Sequence, residues 1–456
     1  MKNRDGSSPL RRCNGPRVLM LGYNGANNTG AEALLQADID DVRAVLGPRA
    51  RITVPAINPA NLRRYLAESP TLRIVKVPTL FFGPVRRLVK ESDVVLLVEG
   101  STYMDTWGSP LLWLYLWATH CAWRMRKPCM AYAVDAGSLR PGNRRRVRRT
   151  ASRTDMIVAR TRSAALRLHR IGVTAPLAWT ADNAFTYRPR PEDEGWPFGD
   201  WPEAWNGIAG ISVVDFTLWP AVMRPFGARD RCYKWPYYFS RSRGRLQFRQ
   251  ALVRGYAAQA DRIVQETGKA VALIAMEQVD EPVLASVRDL MVHKERARIV
   301  SSREYDSSRM TALLRSLDLL ITSRFHAAVL SLPAGVPQVA VGHDTRLRTL
   351  YADLGMAEWW MDPLPAGGTE SGAPTAGLFD RLQEKVSQLL ADPGQQAEAL
   401  RTGYAQHLAR ARSNRAFLEE FARRSLGHAP DQPEAKAGEP ACRADECAQG
   451  GATWVA

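Results

Sequence analysis

The chain has 456 residues, of which 45% are hydrophobic and 24% are charged, a composition typical of globular proteins. This length exceeds what one hydrophobic core usually supports, so we expect two domains. Six sparse cysteines without a C-x-x-C pair argue against a disulfide framework and a structural zinc site, and they fit a reducing cytoplasm.

The chain is strongly basic, with a formal net charge of +16 and a pI near 9.9. This charge suits nucleic acid, anionic lipid or phosphorylated partners. A run of arginines, RRRVRR, occupies 144–149. A solvated helix face explains the run more simply than a nucleic-acid stripe, because no zinc finger, helix-turn-helix or RNP-type motif accompanies it. We therefore expect no nucleic-acid partner.

The most apolar stretch is 108–123, GSPLLWLYLWATHCAW. It is shorter than the roughly 20 residues that a spanning helix needs, and Thr119 and His120 interrupt it. The pattern favours a buried or interfacial helix. Because the first dozen residues are polar and basic, we expect no secretory signal. We expect a cytoplasmic protein, with peripheral association at the inner face of the cell membrane as an option.

Strands and helices alternate along the first half of the chain. Residues 18–22 predict a buried strand, 23–30 a loop and 31–46 an amphipathic helix. Further strands are predicted at 51–58, 72–77, 92–101 and 129–138, and 154–185 predicts a strand, a helix and a final short strand. This alternation indicates a parallel sheet with helices on both faces.

A linker rich in acid, Pro and Trp is predicted at 192–205, and the alternation then repeats. Strands are predicted at 207–215, 270–276, 297–302, 318–322 and 335–341, with helices between them and beyond. We predict an α/β protein of two Rossmann-like domains, 17–195 and 206–427, facing across a cleft that binds ligands. A flexible N-terminus (1–16) and a disordered tail (428–456) flank them.

The segment 216–245 is long for a strand-to-helix connection and dense in Trp, Tyr and Arg. Aromatic rings stack on sugar faces and arginines grip anions, so one hypothesis is a lid over an acceptor. The other is a structural insert that packs on its own domain.

Two loops of the predicted first domain follow strands. The loop 22–32, GYNGANNTGAE, has glycines that allow close backbone approach and enters a helix whose N–H groups attract anions or hydroxyls. It lacks both familiar nucleotide-phosphate motifs, and a structural glycine turn is the alternative. In the loop 98–105, Glu99 and Asp105 could bind sugar hydroxyls or accept a proton; capping of the following helix is the alternative.

The most informative segment is 321–350. Ser323, Arg324 and His326 lie where a buried strand turns into a helix, which suits Arg324 to holding a phosphate and His326 to proton transfer. The next strand is followed by GHDTR, which brings His343, Asp344 and Arg346 to the same rim.

These motifs together resemble the polysaccharide pyruvyl transferase family over about 17–354. The matching pieces are GANNTGAE, the strand-end EGS, VARTRSAALRLHRIG with TADNAF, and DLLITSRFHAAVLSLPAGVPQVAV with DTR. Three positions depart from the family's pattern. Ala31 stands where relatives have Asp, Arg346 stands where Lys is common, and Gly100 with Ser101 replaces a glycine cluster.

The resemblance implies a scaffold like that of GT-B glycosyltransferases and transfer of a pyruvyl group from phosphoenolpyruvate to a saccharide, forming a ketal. It implies His326 as general acid and a donor site of Ser323, Arg324, His343, Asp344 and Arg346. Arg160 and Asp182, at strand ends, could face the cleft or form an interdomain ion pair. We expect the acceptor side to comprise these residues: Asn27, Asn28, Gly30, Glu32, Glu99, Gly100, Ser101, Asp105, Arg160 and Asp182.

No metal or redox cofactor is expected, because this chemistry demands none. The acceptor could be a free or a lipid-linked saccharide. Two alternatives stay open at this level: a nucleotide-sugar glycosyltransferase or epimerase of the same architecture, and a non-catalytic basic scaffold for anionic lipid or RNA.

Overall fold

The computed structural model describes residues 15–106, 108–218, 221–227, 232–234, 237–239, 242–342, 344–364, 372–427 and 453–454. The first half of the chain contains, in order, β1 (Arg17–Leu21), α1 (Thr29–Leu46), β2 (Arg51–Ala56), α2 (Pro59–Leu62), β3 (Leu72–Lys76), α3 (Phe82–Glu91), β4 (Val94–Leu97), α4 (Ser109–Arg124), β5 (Cys129–Val134), α5 (Pro141–Ala151), β6 (Met156–Ala159), α6 (Arg162–Arg170), β7 (Leu177–Trp179) and α7 (Trp196–Asp200).

The second half continues with β8 (Ile208–Ser212), β9 (Ala221–Met223), β10 (Cys232–Lys234), β11 (Tyr237–Phe239), α8 (Arg243–Thr267), β12 (Ala270–Ala275), α9 (Glu281–Leu290), β13 (Ala297–Ser301), α10 (Ser307–Arg315), β14 (Leu319–Thr322), α11 (Phe325–Ser331), β15 (Gln338–Val341), α12 (Thr345–Asp353), β16 (Trp360–Met361), α13 (Leu378–Ala391), α14 (Ala397–Leu426) and β17 (Thr453–Trp454).

These elements form two large sheets and a small one. The first large sheet has the strand order β17-β7-β6-β5-β4-β1-β2-β3 and is parallel except for β17. The second has the order β13-β12-β8-β14-β15-β16 and is parallel throughout. In each sheet the order reverses beside the first strand, between β1 and β4 and between β8 and β14. Ligands bind beyond the strand ends at such points.

The predicted α/β class with two Rossmann-like sheets is confirmed. The central strands β4, β5, β12 and β14 are buried along their whole length, which explains why their sequences are continuous apolar runs rather than alternating ones. Helix α8 begins at Arg243, because Ser242 accepts a hydrogen bond from the N–H of Arg245 and caps it.

The predicted linker is folded into short helices rather than extended. Within it, Asp193 accepts a hydrogen bond from the hydroxyl of Ser308 at 2.6 Å and forms ion pairs with Arg190 and Arg309. The linker is thereby fastened to α10 of the second domain.

Helix α14 crosses back from the second domain to the first. The predicted boundary at 206–427 places all of it in the second domain, whereas Leu418, Phe421 and Ala422 pack in a core of the first. Asn414 anchors the crossing: its side-chain N–H groups donate to the carbonyl of Ala181 at 3.0 Å and the side chain of Asn183 at 2.6 Å, and it accepts from Thr180.

Helix α4 is a core helix, one of the two options predicted for 108–123. Leu112, Tyr115 and Leu116 are buried against the first sheet, whereas Trp113 and Trp123 are exposed. Among the described residues, none of the helices combines the length and apolarity that crossing a lipid bilayer demands.

Within 216–245, the strands β9, β10 and β11 form a separate antiparallel sheet of order β10-β11-β9, and 243–245 belong to α8. A lid over the acceptor stays a prediction. At the chain's end, β17 pairs antiparallel with β7, and the rest of the predicted tail lies outside the described residues.

The anchoring role of Asn414 predicts a stability effect. Replacing it in Asn414→Ala leaves the buried Thr180 hydroxyl and Ala181 carbonyl with only their long 3.5 Å contact to each other, so the free energy of unfolding in a urea titration should fall by roughly 2 kcal/mol. Arg412→Ala, an exposed change on the same helix, is the matched control and should leave it unchanged. Equal stability of Asn414→Ala and this control would contradict the role.

Candidate active site

The two sheets point their carboxyl ends at one another, and the loop after β1 joins them. The N–H of Thr29 donates to the carbonyl of Met276 at 2.9 Å, and the hydroxyl of Ser302 donates to the carbonyl of Asn27 at 2.6 Å. The first turn of α1 therefore lies directly against the second domain.

Arg160, at the end of β6, is buried between two carboxylates of the first domain. Its guanidinium donates to Asp135 at 3.1 Å and to Asp182 at 2.5 Å. Nη2 is buried and has no hydrogen-bond partner in the structure. The guanidinium also lies 5.1 Å from the ring centre of Phe325, a residue of the second domain, which is cation–π distance.

His326 brings the second domain's chemistry to the same point. Its Nε2 lies 3.6 Å from Oδ2 of Asp182, across the cleft, and is buried without a hydrogen-bond partner. Burial alone would raise the pKa of Asp182, but Arg160 and His326 together hold it well below its usual range. The carboxylate stays ionised and attracts a positive charge on the imidazole. The interdomain ion pair expected for Asp182 thus involves His326, while its pair with Arg160 is internal.

Arg324, two residues before His326, is held by two carboxylates. Its Nε donates to Asp280 at 2.9 Å, Nη2 donates to the same carboxylate, and Nη1 donates to Glu277 at 3.2 Å. Burial raises the pKa of Asp280 to about 6 against the opposing effect of Arg324. Ser323 is buried, and its N–H donates to the carbonyl of Ser212 on β8 at 2.7 Å.

Asp344 and Arg346 pair with each other at the start of α12. Nε of Arg346 lies 2.8 Å from the Asp344 carboxylate, and this contact, against the effect of burial, lowers the pKa of Asp344 to about 2. Arg346 also interacts electrostatically with Arg324, Asp135 and Glu99, so both domains contribute to one charged cluster. His343 lies outside the described residues.

Asn27 and Asn28 latch the domains together through their side chains. Asn27 donates to Gln278 at 3.1 Å, and Asn28 donates to Glu277 at 3.1 Å while its oxygen caps α1. Gly30 follows and packs against the imidazole, because a Cβ added there would lie 2.0 Å from Nδ1 of His326. The glycine is therefore required by close approach rather than by a turn.

Glu32 is buried where α1 meets α10. Its carboxylate accepts the N–H of Ser307 at 3.1 Å and lies 3.7 Å from Arg64. Burial raises its pKa to about 8, although Arg64 opposes the shift. Glu32 thus lies at the domain interface, one turn from the charged cluster.

The loop after β4 divides into two roles. Glu99 accepts the N–H groups of Tyr23 at 2.8 Å and Ser101 at 3.1 Å, and a Cβ on Gly100 would lie 2.2 Å from Nη1 of Arg160. This part borders the cluster. Asp105 instead accepts from the N–H of Arg140 and from Asn143, at the entrance to α5. It does not cap the following helix, α4, as the alternative expected, because Gly108 occupies the N-cap of α4 and provides no side-chain cap.

Sequence reasoning missed Asp135, Glu277 and Asp280, which hold the cluster's arginines. Asp135 directly follows β5, and Glu277 lies two residues after β12, so position at a strand end was an available signal. Within the described ranges, no three His, Cys, Asp or Glu side chains are grouped so that they could hold a metal ion.

The family model for polysaccharide pyruvyl transferase matches residues 28–345, most of the chain and all of this cluster except Tyr23 and Asn27 of the first loop and Arg346. The protein belongs to the polysaccharide pyruvyl transferase family. It is a transferase, as the sequence predicts, and its family acts on saccharides.

One relative of this chain is the amylovoran biosynthesis protein AmsJ of Erwinia amylovora. The two are 24% identical over 307 residues, which cover 66% of this chain and 69% of the relative.

Solved structures similar to this chain confirm the GT-B-like architecture. Anabaena HepE in complex with UDP has a TM-score of 0.52 at 13% identity, covering 90% of this chain and 99% of that one. The UDP-GlcNAc 2-epimerase of Neisseria meningitidis has a TM-score of 0.54 at 10% identity, with 90% and 99% coverage. At such identities the likeness shows the fold alone.

The packing of Gly30 predicts a position-specific loss of activity. In Gly30→Ala the added methyl must displace the His326 imidazole, so transferase activity should fall by about 100-fold with little change in melting temperature. Gly199→Ala, where an added Cβ meets nothing within 4 Å, is the matched control. Full activity of Gly30→Ala would show that the imidazole position is unimportant.

The raised pKa of Glu32 predicts a pH-dependent stability. Between the ordinary pKa of 4.5 and about 8, the folded protein binds a proton that the unfolded chain has released, so stability falls as pH rises through this window. Glu32→Gln should remove on the order of 3 kcal/mol of this decline, measured by urea denaturation at pH 5 and 8.5. Exposed Glu304→Gln should keep the wild-type slope, and an unchanged slope in Glu32→Gln would contradict the prediction.

Proposed function

We propose that the protein transfers a pyruvyl group from phosphoenolpyruvate to two hydroxyls of a saccharide, forming a pyruvate ketal and releasing inorganic phosphate. The observation that carries this proposal is the approach of His326 Nε2 to Asp182 across the cleft, beside buried Arg160, in a member of the pyruvyl transferase family. A histidine next to an ionised carboxylate is suited to deliver a proton near neutral pH.

The donor is an anion with a phosphate and a carboxylate, and it needs cationic partners. A guanidinium has five N–H donors, of which Arg324 uses three on Asp280 and Glu277. We assign the remaining N–H groups of Arg324 to the site that binds phosphoenolpyruvate. Arg346, Ser323, Asp344 and His343 belong to the same site in this proposal. Nη2 of Arg160, which has no hydrogen-bond partner in the structure, is a further N–H group available to the carboxylate of phosphoenolpyruvate.

The imidazolium of His326 transfers its proton to the methylene carbon of the donor, which becomes a methyl group. The neighbouring carbon becomes cationic and accepts an electron pair from the first saccharide hydroxyl. The C–O bond to phosphate then breaks, and the second hydroxyl closes the ketal. Of the two hydroxyl protons released, one restores the imidazolium and the other leaves with phosphate, so the reaction is redox-neutral and we expect no cofactor.

The acceptor is assigned to the first domain's side of the cleft, where the loop after β4 presents Gly100 and Ser101 next to Arg160. The likeness to AmsJ supports an acceptor from exopolysaccharide biosynthesis. In this proposal the acceptor is either a free or a lipid-linked saccharide.

The test is phosphate release, followed by phosphorus NMR, when the protein is incubated with phosphoenolpyruvate and a panel of candidate saccharides. His326→Ala should lower turnover by about 100- to 10,000-fold, because it removes the general acid, while calorimetry still detects donor binding. Asp182→Asn should lower kcat with a smaller change in KM, because it leaves the imidazolium without its counter-charge.

Exposed His169→Ala is the matched control and should retain full turnover. Unchanged turnover in His326→Ala would exclude this residue as the acid. Absence of phosphate release with every acceptor, together with tight binding of a nucleotide sugar, would overturn the donor assignment.

A further inference from the structure

Large apolar side chains are exposed together on the outer face of the first domain. Leu80 is 80% exposed, Phe82 49%, Trp123 45% and Trp113 38%. They belong to α3, α4 and the loop before α3. Exposed residues of this size and proximity mark a contact surface more often than a free one.

The rings on this face contact one another and form a continuous ridge. Phe82 meets Trp117 edge-on at 5.5 Å, Trp117 stacks on His120 at 5.6 Å, and His120 lies 6.0 Å from Trp123. The indole N–H of Trp117 donates to the carbonyl of Phe82 at 2.8 Å, which fixes α3 against α4. We call these four residues the aromatic ridge.

Arginines border the ridge along α5 and beyond it. The Arg153 guanidinium lies 3.8 Å from the ring centre of Trp123 and 3.0 Å from His120, and that of Arg146 lies 5.9 Å from the ring centre of Trp113. Between Asp105 and Asp155 the sequence has ten basic residues and one carboxylate, Asp135. Because Asp135 is buried at the active site, it does not offset this surface charge.

At one end of the ridge a cavity of about 680 Å³ continues the positive surface. Among its lining residues one carboxylate, Asp155, faces a set of cationic side chains: Arg124, Arg126, Lys127, Arg153 and Arg424. A cavity of this charge suits a phosphate group.

We propose that the aromatic ridge and its bordering arginines dock the enzyme on a bilayer rich in anionic phospholipid. Tryptophan and phenylalanine favour the level of the headgroups, and arginines near an anionic surface add attraction of about 1 kcal/mol each. Single-stranded nucleic acid fits less well, because it needs open ring faces for stacking. Here His120 covers a face of Trp117, and Arg153 covers one of Trp123.

The docking face connects to the loop after β4 through Asn143. This side chain donates to Asp105, in the loop after β4, and accepts from the indole N–H of Trp113 at 3.0 Å. A saccharide anchored in the bilayer would therefore meet the enzyme on the side where the first domain's catalytic loops begin. The docking proposal goes beyond pyruvyl transfer and is tested separately from it.

The test is co-sedimentation of the full chain with vesicles of phosphatidylglycerol and phosphatidylcholine, compared with pure phosphatidylcholine. Wild-type protein should bind the anionic vesicles and lose binding as salt rises. Arg146→Glu/Arg149→Glu and Leu80→Ser/Phe82→Ser should each weaken binding by at least about tenfold. Arg254→Glu/Arg288→Glu, on exposed positions of α8 and α9, makes the same charge change and should retain binding.

Failure of wild-type protein to bind anionic vesicles at low salt would overturn the proposal, as would an equal loss in the control variant. A dimer in sedimentation equilibrium that Leu80→Ser/Phe82→Ser dissociates, or oligonucleotide binding in place of vesicle binding, would assign the face to another partner. Phosphate release with a water-soluble acceptor, unchanged in the variants, establishes that a docking defect is not misfolding and keeps the result independent of the donor chemistry.

Discussion

The buried carboxylate of Asp182 is the interaction on which the site depends. It receives Arg160 from its own domain and faces His326 from the other, so its approach to the imidazole exists only when the domains are closed. A buried carboxylate without a cationic partner is strongly destabilising, because its charge has lost its hydration. Removal of either neighbouring cation would therefore destabilise this site. Domain closure and the assembly of the Asp182–His326 pair are therefore one event. The latch of Asn27 and Asn28 fixes the same geometry from the side of α1.

The arginines of the cleft are oriented before any substrate arrives. Arg324 is held by Asp280 and Glu277, and Arg346 by Asp344, so neither must lose much side-chain entropy on meeting an anion. The same carboxylates weaken the positive potential of the site. An anion that binds there would then be selected by its hydrogen-bonding geometry rather than by charge alone.

The proposed docking face and the active site share one structural element. The strand-end loop after β4 supplies Gly100 to the cluster, and the helix it enters, α4, presents Trp113 and Trp117 on the outer face of the domain. A helix that is apolar nearly all round can serve both, because its inner half packs in the core and its outer half carries large rings. The orientation of the cleft relative to a bound bilayer would then be set by α4 and the loop that precedes it.

The sequence by itself determined the alternation of buried strands and helices, since apolar periodicity is a local property, and it identified Arg160, Asp182, Arg324 and His326 through position at strand ends. It did not determine which charges pair. That Asp182 meets His326 and that Asp280, 44 residues earlier in the chain, holds Arg324 depends on how two sheets face each other. The return of α14 to the first domain was likewise decided by tertiary packing. The periodicity of an amphipathic helix shows which side is buried but not which core that side packs against.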